Sequence, residues 1–136
     1  MKTIIVYYSY TNTTKKLAEK LSADGDISIM EIKDVNRPGV FKAYTKGCFA
    51  AIKGNVWPIQ PINIDLSEFD SFILMFPVWA SNPPPAFNTF LDKLPNGKTF
   101  SMKAVSRSGK SNCKQRLQSV IKAKNGILQD YEDIRV

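Results

Sequence analysis

The sequence has no histidine, and its only two cysteines, Cys48 and Cys113, lie far apart in the chain. Without histidine there is no Ser-His-Asp or Cys-His catalytic set, and the cysteines lack the close spacing of zinc ligands. We therefore predict two reduced structural cysteines, no metal site and no catalytic side chain. Any chemistry would then reside in a bound cofactor, which the protein holds and tunes.

The sequence also has no apolar run long enough to span a bilayer. Strand-like residues begin directly at the N-terminus, which has neither the charged segment nor the cleavage site of a signal peptide. A chain of 136 residues is of the size of one domain, so we expect residues 1–136 to form a single domain. The expected location is the cytoplasm, without membrane association.

Acidic residues are fewer than basic ones: the sequence has 12 Asp and Glu and 19 Lys and Arg, which gives a formal net charge of +7. The basic residues are scattered, apart from a small group formed by Lys110, Lys114 and Arg116. Neither interleaved aromatic residues nor a nucleic-acid-binding motif accompanies that group. We therefore predict solvated surface charge and no nucleic-acid partner.

Apolar runs of strand length alternate with helical patterns along the whole chain. This alternation predicts an α/β fold with a parallel sheet and right-handed crossovers. In the second helix the apolar positions Phe41, Tyr44, Cys48 and Ile52 repeat at helical spacing. The predicted strands are 3–8, 27–32, 72–76, 99–105 and 127–136, and the predicted helices are 13–22, 40–53, 87–94 and 112–124.

Turn residues separate most of these segments. Asp24-Gly25-Asp26 and Arg37-Pro38-Gly39 flank the second strand, and Asn125-Gly126 ends the last helix. The closely spaced prolines in Trp57–Ile62 exclude a regular helix there. We predict a connecting loop for that stretch.

A hydroxyl-rich turn, Ser9–Thr14, joins the first strand to the first helix. A helix start offers unpaired N–H groups and a partial positive charge, which together suit a phosphate. Lys15 and Lys16 oppose the helix dipole, and a bound anion would offset that effect. The alternative is that Thr13 or Thr14 simply caps the helix and both lysines are solvated.

The pattern Ser-x-Thr-x-x-Thr in this turn resembles the phosphate loop of the flavodoxin family. A second stretch, Pro77–Pro83 after the third strand, resembles the second flavin loop of that family. The resemblance implies a doubly wound parallel sheet of strand order 2-1-3-4-5. It places the ligand at the switch between strands one and three. Asn12 stands where the family often has glycine, and Asn tolerates positive φ better than most residues.

The resemblance implies FMN as the cofactor. The hydroxyl-rich loop would hold its phosphate, Trp79 and Val78 would lie against its ring, and backbone groups near Asn82 and in 106–109 would meet its pyrimidine edge. The implied FMN-binding residues are Ser9, Tyr10, Thr11, Asn12, Thr13, Thr14, Pro77, Val78, Trp79, Ala80, Ser81, Asn82, Ser106, Arg107, Ser108 and Gly109.

Two further hypotheses concern the third loop. Arg107 or Lys110 near the ring would stabilise an anionic reduced flavin, so we expect a higher two-electron potential than in acidic flavodoxins. Residues Ala104–Ser111 also nearly fit the nucleotide-triphosphate motif G-x-x-x-x-G-K-S, with alanine at the first glycine.

The family usually has a fifth helix after strand five, and no helical pattern follows the fifth predicted strand in this sequence. Part of an apolar sheet face would then be left bare, or the tail would pair differently. Our hypothesis is that a second subunit covers this face, in a homodimer.

The predicted function is that of an FMN-binding, flavodoxin-like redox protein. It would be either an electron carrier with a redox partner protein or an NAD(P)H-linked reductase of a small acceptor such as a quinone. Whether it is an enzyme stays open. The alternative is a flavin-less module of the same fold that binds another phosphate ligand or a protein partner.

Overall fold

Strands and helices alternate along the chain in the computed structural model, which describes residues 2–23, 25, 27–37 and 39–136, with only the backbone of Phe41 and Tyr44. The strands are β1 Thr3–Tyr8, β2 Ser28–Ile32, β3 Ser71–Pro77, β4 Thr99–Ser106 and β5 Ile127–Arg135. The α-helices are α1 Thr13–Ala23, α2 Val40–Lys42, α3 Cys48–Lys53, α4 Pro85–Leu91 and α5 Lys114–Ala123, with a π-helical turn at Ala43–Gly47 and a 3₁₀ turn at Leu66–Glu68.

The five strands form one parallel sheet in the order β2-β1-β3-β4-β5. Ile4, Ile5 and Val6 of β1 are fully buried, as expected for a strand covered on both faces. The predicted fold and strand order are therefore confirmed. β1 and β3 pair directly, and their carboxyl ends lie side by side where the predicted ligand site was placed.

One face of the sheet carries the main aromatic core. Phe76 of β3 packs on Phe87 of α4 with ring centroids 4.6 Å apart, and Phe72 stacks on Phe100 of β4 at 5.3 Å. α5 closes the same face with Leu117, which is fully buried. The apolar spacing that predicted the third and fourth helices thus corresponds to this core.

The opposite face is covered by α1, whose Leu17 and Ala18 pack near Ile5 and Met75. Towards β4 and β5 this face is mixed: Lys103 forms a 3.2 Å ion pair with Glu132, whereas Val105 is buried and apolar. Alternation along β4 buries Phe100, Met102 and Ala104 on the opposite side. The bare face of the homodimer hypothesis is thus only partly apolar, and the homodimer stays a prediction.

The helical segment 40–53 forms as predicted, with a π-helical turn at Ala43–Gly47 in its middle. Ala43, Ala50 and Ala51 are buried, whereas Ile52 is 59% exposed. The π-helical turn adds a residue to the helix, so positions beyond it rotate away from regular helical spacing. The predicted side chains of Phe41 and Tyr44 lie outside the described residues, as do Asp24, Asp26 and Pro38 of the predicted turns.

Smaller features agree with the sequence or differ only at boundaries. α4 begins at Pro85, because proline suits the first helical turn, and Leu94 lies beyond its end. Both cysteines are free thiols. Within the described ranges, no helix combines the length and the apolar character needed to cross a bilayer.

Candidate cofactor site

The loop after β1 turns sharply into α1 at Asn12, whose φ is 67°. The backbone N–H of Lys16 donates to the Asn12 carbonyl at 3.0 Å, which starts the helix. The backbone N–H of Lys15 donates to Oγ of Ser9 at 3.2 Å. The expectation that asparagine would preserve the turn is therefore confirmed. Ser9, rather than Thr13 or Thr14, is the residue that caps the helix N-terminus.

Other hydrogen-bond donors of this loop are available to a ligand. Among the described residues, no protein acceptor is seen for the backbone N–H groups of Thr13 and Thr14. The hydroxyls of Thr11 and Thr13 are 3.4 Å apart, and Thr11 and Asn12 are exposed. Thr14 is buried below them. The loop thus presents N–H and O–H donors in one place at the positive end of α1.

The loop after β3 closes on itself. Trp79 and Asn82 exchange two backbone hydrogen bonds, of 2.7 Å from Trp79 N and 3.0 Å from Asn82 N. Between them Ala80 and Ser81 have φ of 49° and 68°, the left-handed pair typical of a type I′ turn. The Asn82 side-chain amide donates to the Ala80 carbonyl at 2.9 Å. The backbone N–H and C=O of Asn82 are therefore already used within the turn.

Trp79 joins the two loops. Its ring meets Tyr10 of the first loop edge-on, with centroids 5.7 Å apart, and Tyr8 at 6.0 Å. A Cβ at Gly47 would lie 2.7 Å from Cζ3 of Trp79, so the π-helical turn approaches the indole closely. The two predicted flavin loops are therefore neighbours, with a half-buried indole between them.

The third loop adjoins the second. Asn112 N donates to the Ser81 carbonyl at 2.8 Å, and Val78 N donates to Val105 of β4 at 3.0 Å. Gly109, at φ 69°, donates its N–H to Oγ of Ser106 at 3.0 Å. Arg107, Ser108 and Lys110 are exposed, so the two cations face solvent.

The hypothesis that Ala104–Ser111 forms a nucleotide-triphosphate loop is wrong. Ala104 is buried inside β4, where it cannot belong to a phosphate loop. α5 begins only at Lys114, so Lys110 and Ser111 do not enter a helix as the motif requires. The Ser111 hydroxyl donates to Asp133 at 2.6 Å.

The family model described as NADPH-dependent FMN reductase matches residues 8–128. The chain belongs to this family. This membership confirms the flavodoxin-like prediction and supports FMN as the cofactor. A search of curated proteins gave no match.

Solved structures with a similar fold include several flavoproteins. One is the flavoprotein from Lactobacillus acidophilus NCFM in complex with FMN, with 24% identity, TM-score 0.80, and 96% of this chain and 91% of that chain covered. The apo form of the flavoprotein from the same organism has 29% identity, TM-score 0.71, and coverage of 97% and 92%. Flavodoxin 1 from Bacillus cereus has 15% identity, TM-score 0.54, and coverage of 96% and 84%.

Sequence reasoning missed a polar cavity of about 270 Å³ beside the first loop of this FMN reductase family member. In its wall, the Tyr8 hydroxyl donates to Oδ2 of Asp34 at 2.5 Å. Oδ1 of Asp34 is buried and has no hydrogen-bond partner among the described residues. Burial raises the pKa of this carboxyl, against the opposing effects of the Tyr8 hydrogen bond and of Arg37. The position of Asp34, just after β2 at the carboxyl edge of the sheet, was the available signal.

Proposed function

We propose that this protein binds FMN at the carboxyl ends of β1, β3 and β4 and works as a redox protein. The observation that carries the proposal is the first loop. Its left-handed Asn12 gathers open N–H and O–H donors at a helix start, directly beside Trp79. Donors without protein partners at the positive end of a helix suit the dianionic phosphate of a mononucleotide.

The residues fit the parts of FMN in different ways. Thr11, Thr13 and Thr14 would donate to the phosphate, and the Ser9 hydroxyl, which accepts from Lys15, still has its own proton to donate. The Trp79 indole would lie against the apolar ring system. Because Asn82 is closed within its turn, the pyrimidine edge would meet the backbone at 106–108 rather than Asn82.

FMN, when bound, supplies one-electron and two-electron transfer. The chain's own residues bind it, orient its ring and shield one side of the ring from water. With no histidine in the sequence, proton transfer by an imidazole is excluded. We therefore propose an electron carrier or an NAD(P)H-linked reductase of a small acceptor such as a quinone.

The test is titration of the apo protein with FMN, followed by quenching of flavin fluorescence. Asn12→Val is the informative variant, because a β-branched residue is strongly disfavoured at φ 67°. Its matched control is Asn125→Val, at φ 53° beyond the far end of α5. We expect stoichiometric FMN binding by the wild type and the control, and a loss of about tenfold or more in affinity for Asn12→Val.

Equal FMN affinity of both valine variants would contradict the proposed phosphate loop, and no binding by the wild type would favour the flavin-less alternative. If FMN binds, NADPH oxidation coupled to quinone turnover assigns the protein as a reductase. The absence of steady-state turnover, with electron exchange to a partner protein retained, assigns it as a carrier.

A further inference from the structure

The third loop, residues 107–113, leads from β4 into α5, and its last part is fastened to β5. The hydroxyl of Ser111 lies 2.6 Å from Oδ1 of Asp133 and 2.6 Å from the hydroxyl of Tyr131. The thiol of Cys113, a residue only 2% exposed, lies 3.2 Å from the same Tyr131 oxygen. Four side chains from the loop and from β5 therefore form one connected row, which runs from a buried thiol to the carboxylate of an exposed residue.

The direction of each hydrogen bond in this row follows from counting protons. A carboxylate only accepts, so the Ser111 hydroxyl uses its single proton on Asp133. The Tyr131 hydroxyl must then donate to Ser111, and the Cys113 thiol must donate to Tyr131. Burial raises the pKa of the Cys113 thiol and of the Tyr131 phenol, so both groups keep their protons at neutral pH. The carboxylate of Asp133 thus sets the direction of every bond in the row.

The end of β5 also supports the third loop through its backbone. The N–H of Val136 donates to the Ser106 carbonyl at 2.9 Å. Gly109 approaches the strand so closely that a Cβ there would lie 3.0 Å from Cβ of Arg135. On the other side, the N–H of Asn112 donates to a carbonyl of the second loop at 2.8 Å. The third loop is therefore fixed between β5 and the second loop.

Between these fixed points the third loop has unused hydrogen-bond donors. Among the described residues, no acceptor is seen for the backbone N–H groups of Arg107 and Ser108, which are both exposed. The N–H groups of Gly109 and Lys110, in contrast, donate to the hydroxyls of Ser106 and Ser108. Two adjacent open N–H donors suit the carbonyl oxygens on the pyrimidine edge of a flavin.

We propose that Asp133 is a positioning residue for the flavin, which acts through Ser111 to hold the third loop in its ring-binding conformation. The bond from hydroxyl to carboxylate is charge-assisted and therefore among the stronger hydrogen bonds. It orders the loop before the ligand arrives, and an ordered loop loses less entropy on binding. Asp133 lies on β5, outside the three loops, and raises FMN affinity without contacting FMN. This inference rests on the proposed function, because it concerns the same cofactor site.

The test is an FMN titration of three variants that form a double-mutant cycle, namely Ser111→Ala, Asp133→Ala and the variant with both substitutions. We expect each single variant to bind FMN about fivefold or more weakly than the wild type. Because the two side chains act as one unit, the double variant should bind about as tightly as the weaker single variant. Two independent roles would instead multiply the two losses.

Asp133→Asn is the conservative variant, because its amide oxygen can still accept from the Ser111 hydroxyl. We expect it to recover most of the affinity that Asp133→Ala loses. Asp130→Ala is the matched control, since it removes an exposed carboxylate from the same strand at the position paired with Ser101, away from the third loop. Leu94→Val is the control for stability, because it trims a buried side chain ahead of the start of β4. Both controls should bind FMN like the wild type.

The visible absorption spectrum of the bound flavin provides a second measurement, because it responds to hydrogen bonds on the ring. We expect Asp133→Ala to shift this spectrum and Leu94→Val to leave it unchanged. A merely structural role of Asp133 would lower the free energy of unfolding in both variants and shift the spectrum in neither.

Unchanged FMN affinity in Ser111→Ala and Asp133→Ala, or losses that multiply in the double variant, would overturn the inference. An Asp133→Asn variant as weak as Asp133→Ala would overturn the action through the Ser111 hydrogen bond. The wild type in the same titration separates the failures. FMN binding by the wild type with unaffected variants removes only the positioning role, whereas absent FMN binding by the wild type removes the proposed function as well.

Discussion

The loop after β1 and the loop after β3 lie side by side at the same edge of the sheet, yet they use their backbones in opposite ways. In the first loop the N–H groups of Thr13 and Thr14 have no acceptor among the described residues. In the second loop, Trp79 and Asn82 bond to each other in both directions. The first loop is therefore chemically open, whereas the second is internally satisfied and presents mainly a side chain.

The difference suggests a division of work. An open loop gains hydrogen bonds only when an anion arrives, so its residues should affect ligand affinity more than stability. A closed loop is already complete, so its residues should affect stability in the absence of ligand. Trp79, packed on Tyr8, Tyr10 and Gly47, belongs to both the core and the proposed site.

The largest effect should come from the closed loop. Replacing Trp79 with alanine removes an indole packed against two tyrosines, and we expect the free energy of unfolding of the apo protein to fall by about 3 kcal/mol. Urea denaturation measures this loss. Trp79→Phe, which keeps an aromatic ring, should lose less than about 1.5 kcal/mol. Similar losses for the two variants would contradict the packing role.

In the open loop we expect the reverse pattern. Thr14→Val replaces a hydroxyl with a methyl group of the same shape, so apo stability should change by less than about 1 kcal/mol. FMN affinity should fall about tenfold, because a hydrogen bond to a charged phosphate is lost. Fluorescence titration and urea denaturation of the same protein give both numbers, with Thr3→Val as the control. A large stability loss without a change in affinity would reverse the comparison.

Backbone strain offers a sharper test of the closed loop. Ala80 adopts φ 49°, which glycine accepts without steric penalty. We expect Ala80→Gly to raise the free energy of unfolding by about 0.5 kcal/mol, because relief of strain exceeds the added chain entropy. The same substitution at Ala123, at the end of α5, should lower it by up to about 1 kcal/mol. Destabilisation at both positions would argue against strain at Ala80.

The two loops should also differ in their response to pH. Residues 77–84 contain no titratable side chain, whereas Asp34 lies behind the first loop with its pKa raised, chiefly by burial. Between the unfolded and folded pKa values, the folded state binds more protons at Asp34. Its contribution to stability is therefore greatest at low pH and is lost as pH rises through the folded pKa.

The measurement is urea denaturation from about pH 4 to about pH 7. We expect Asp34→Asn to remove the part of the decline in stability that comes from this carboxyl. Asp92→Asn, at an exposed position, is the control. An unchanged pH profile in Asp34→Asn would show that the carboxyl does not titrate differently on folding.

The smallest effect concerns charge near the proposed ring. Arg107 is exposed on the third loop, so water screens its field. We expect Arg107→Gln to lower the two-electron potential of the FMN-loaded protein only slightly, equivalent to about 0.5 kcal/mol. Lys98→Gln, at the other end of β4, should leave the potential unchanged. A redox titration in which Arg107→Gln raises the potential would contradict stabilisation of an anionic reduced flavin.

Most of the fold could be predicted because its signals are local. The uninterrupted apolar run in β1, the prolines before α4 and Asn125-Gly126 after α5 each fix an element through nearby residues. The buried face of segment 40–53 could not be predicted in this way. A π-helical turn and the approach of Trp79 to Gly47 decide it, and neither has a signal in apolar spacing.

The candidate site divides along the same line. The left-handed turn at Asn12 follows from a short stretch of sequence, because few residues other than glycine and asparagine accept that conformation. The closure of the second loop depends on a pair of hydrogen bonds within the turn, which occupy the backbone N–H and C=O of Asn82. The cavities beside Asp34 and Trp57 depend on segments that are distant in sequence.

By itself the sequence determined the order of strands and helices, the hydroxyl-rich turn and the absence of histidine chemistry. Only the tertiary structure decided that Trp79 joins the two loops, that Lys103 and Glu132 form an ion pair on one sheet face, and that Lys42 and Lys46 share a cavity with Trp57. The physical reason is the distance along the chain over which the deciding interactions act. Backbone conformation responds to neighbouring residues, whereas a cavity or a buried contact exists only when remote segments have packed together.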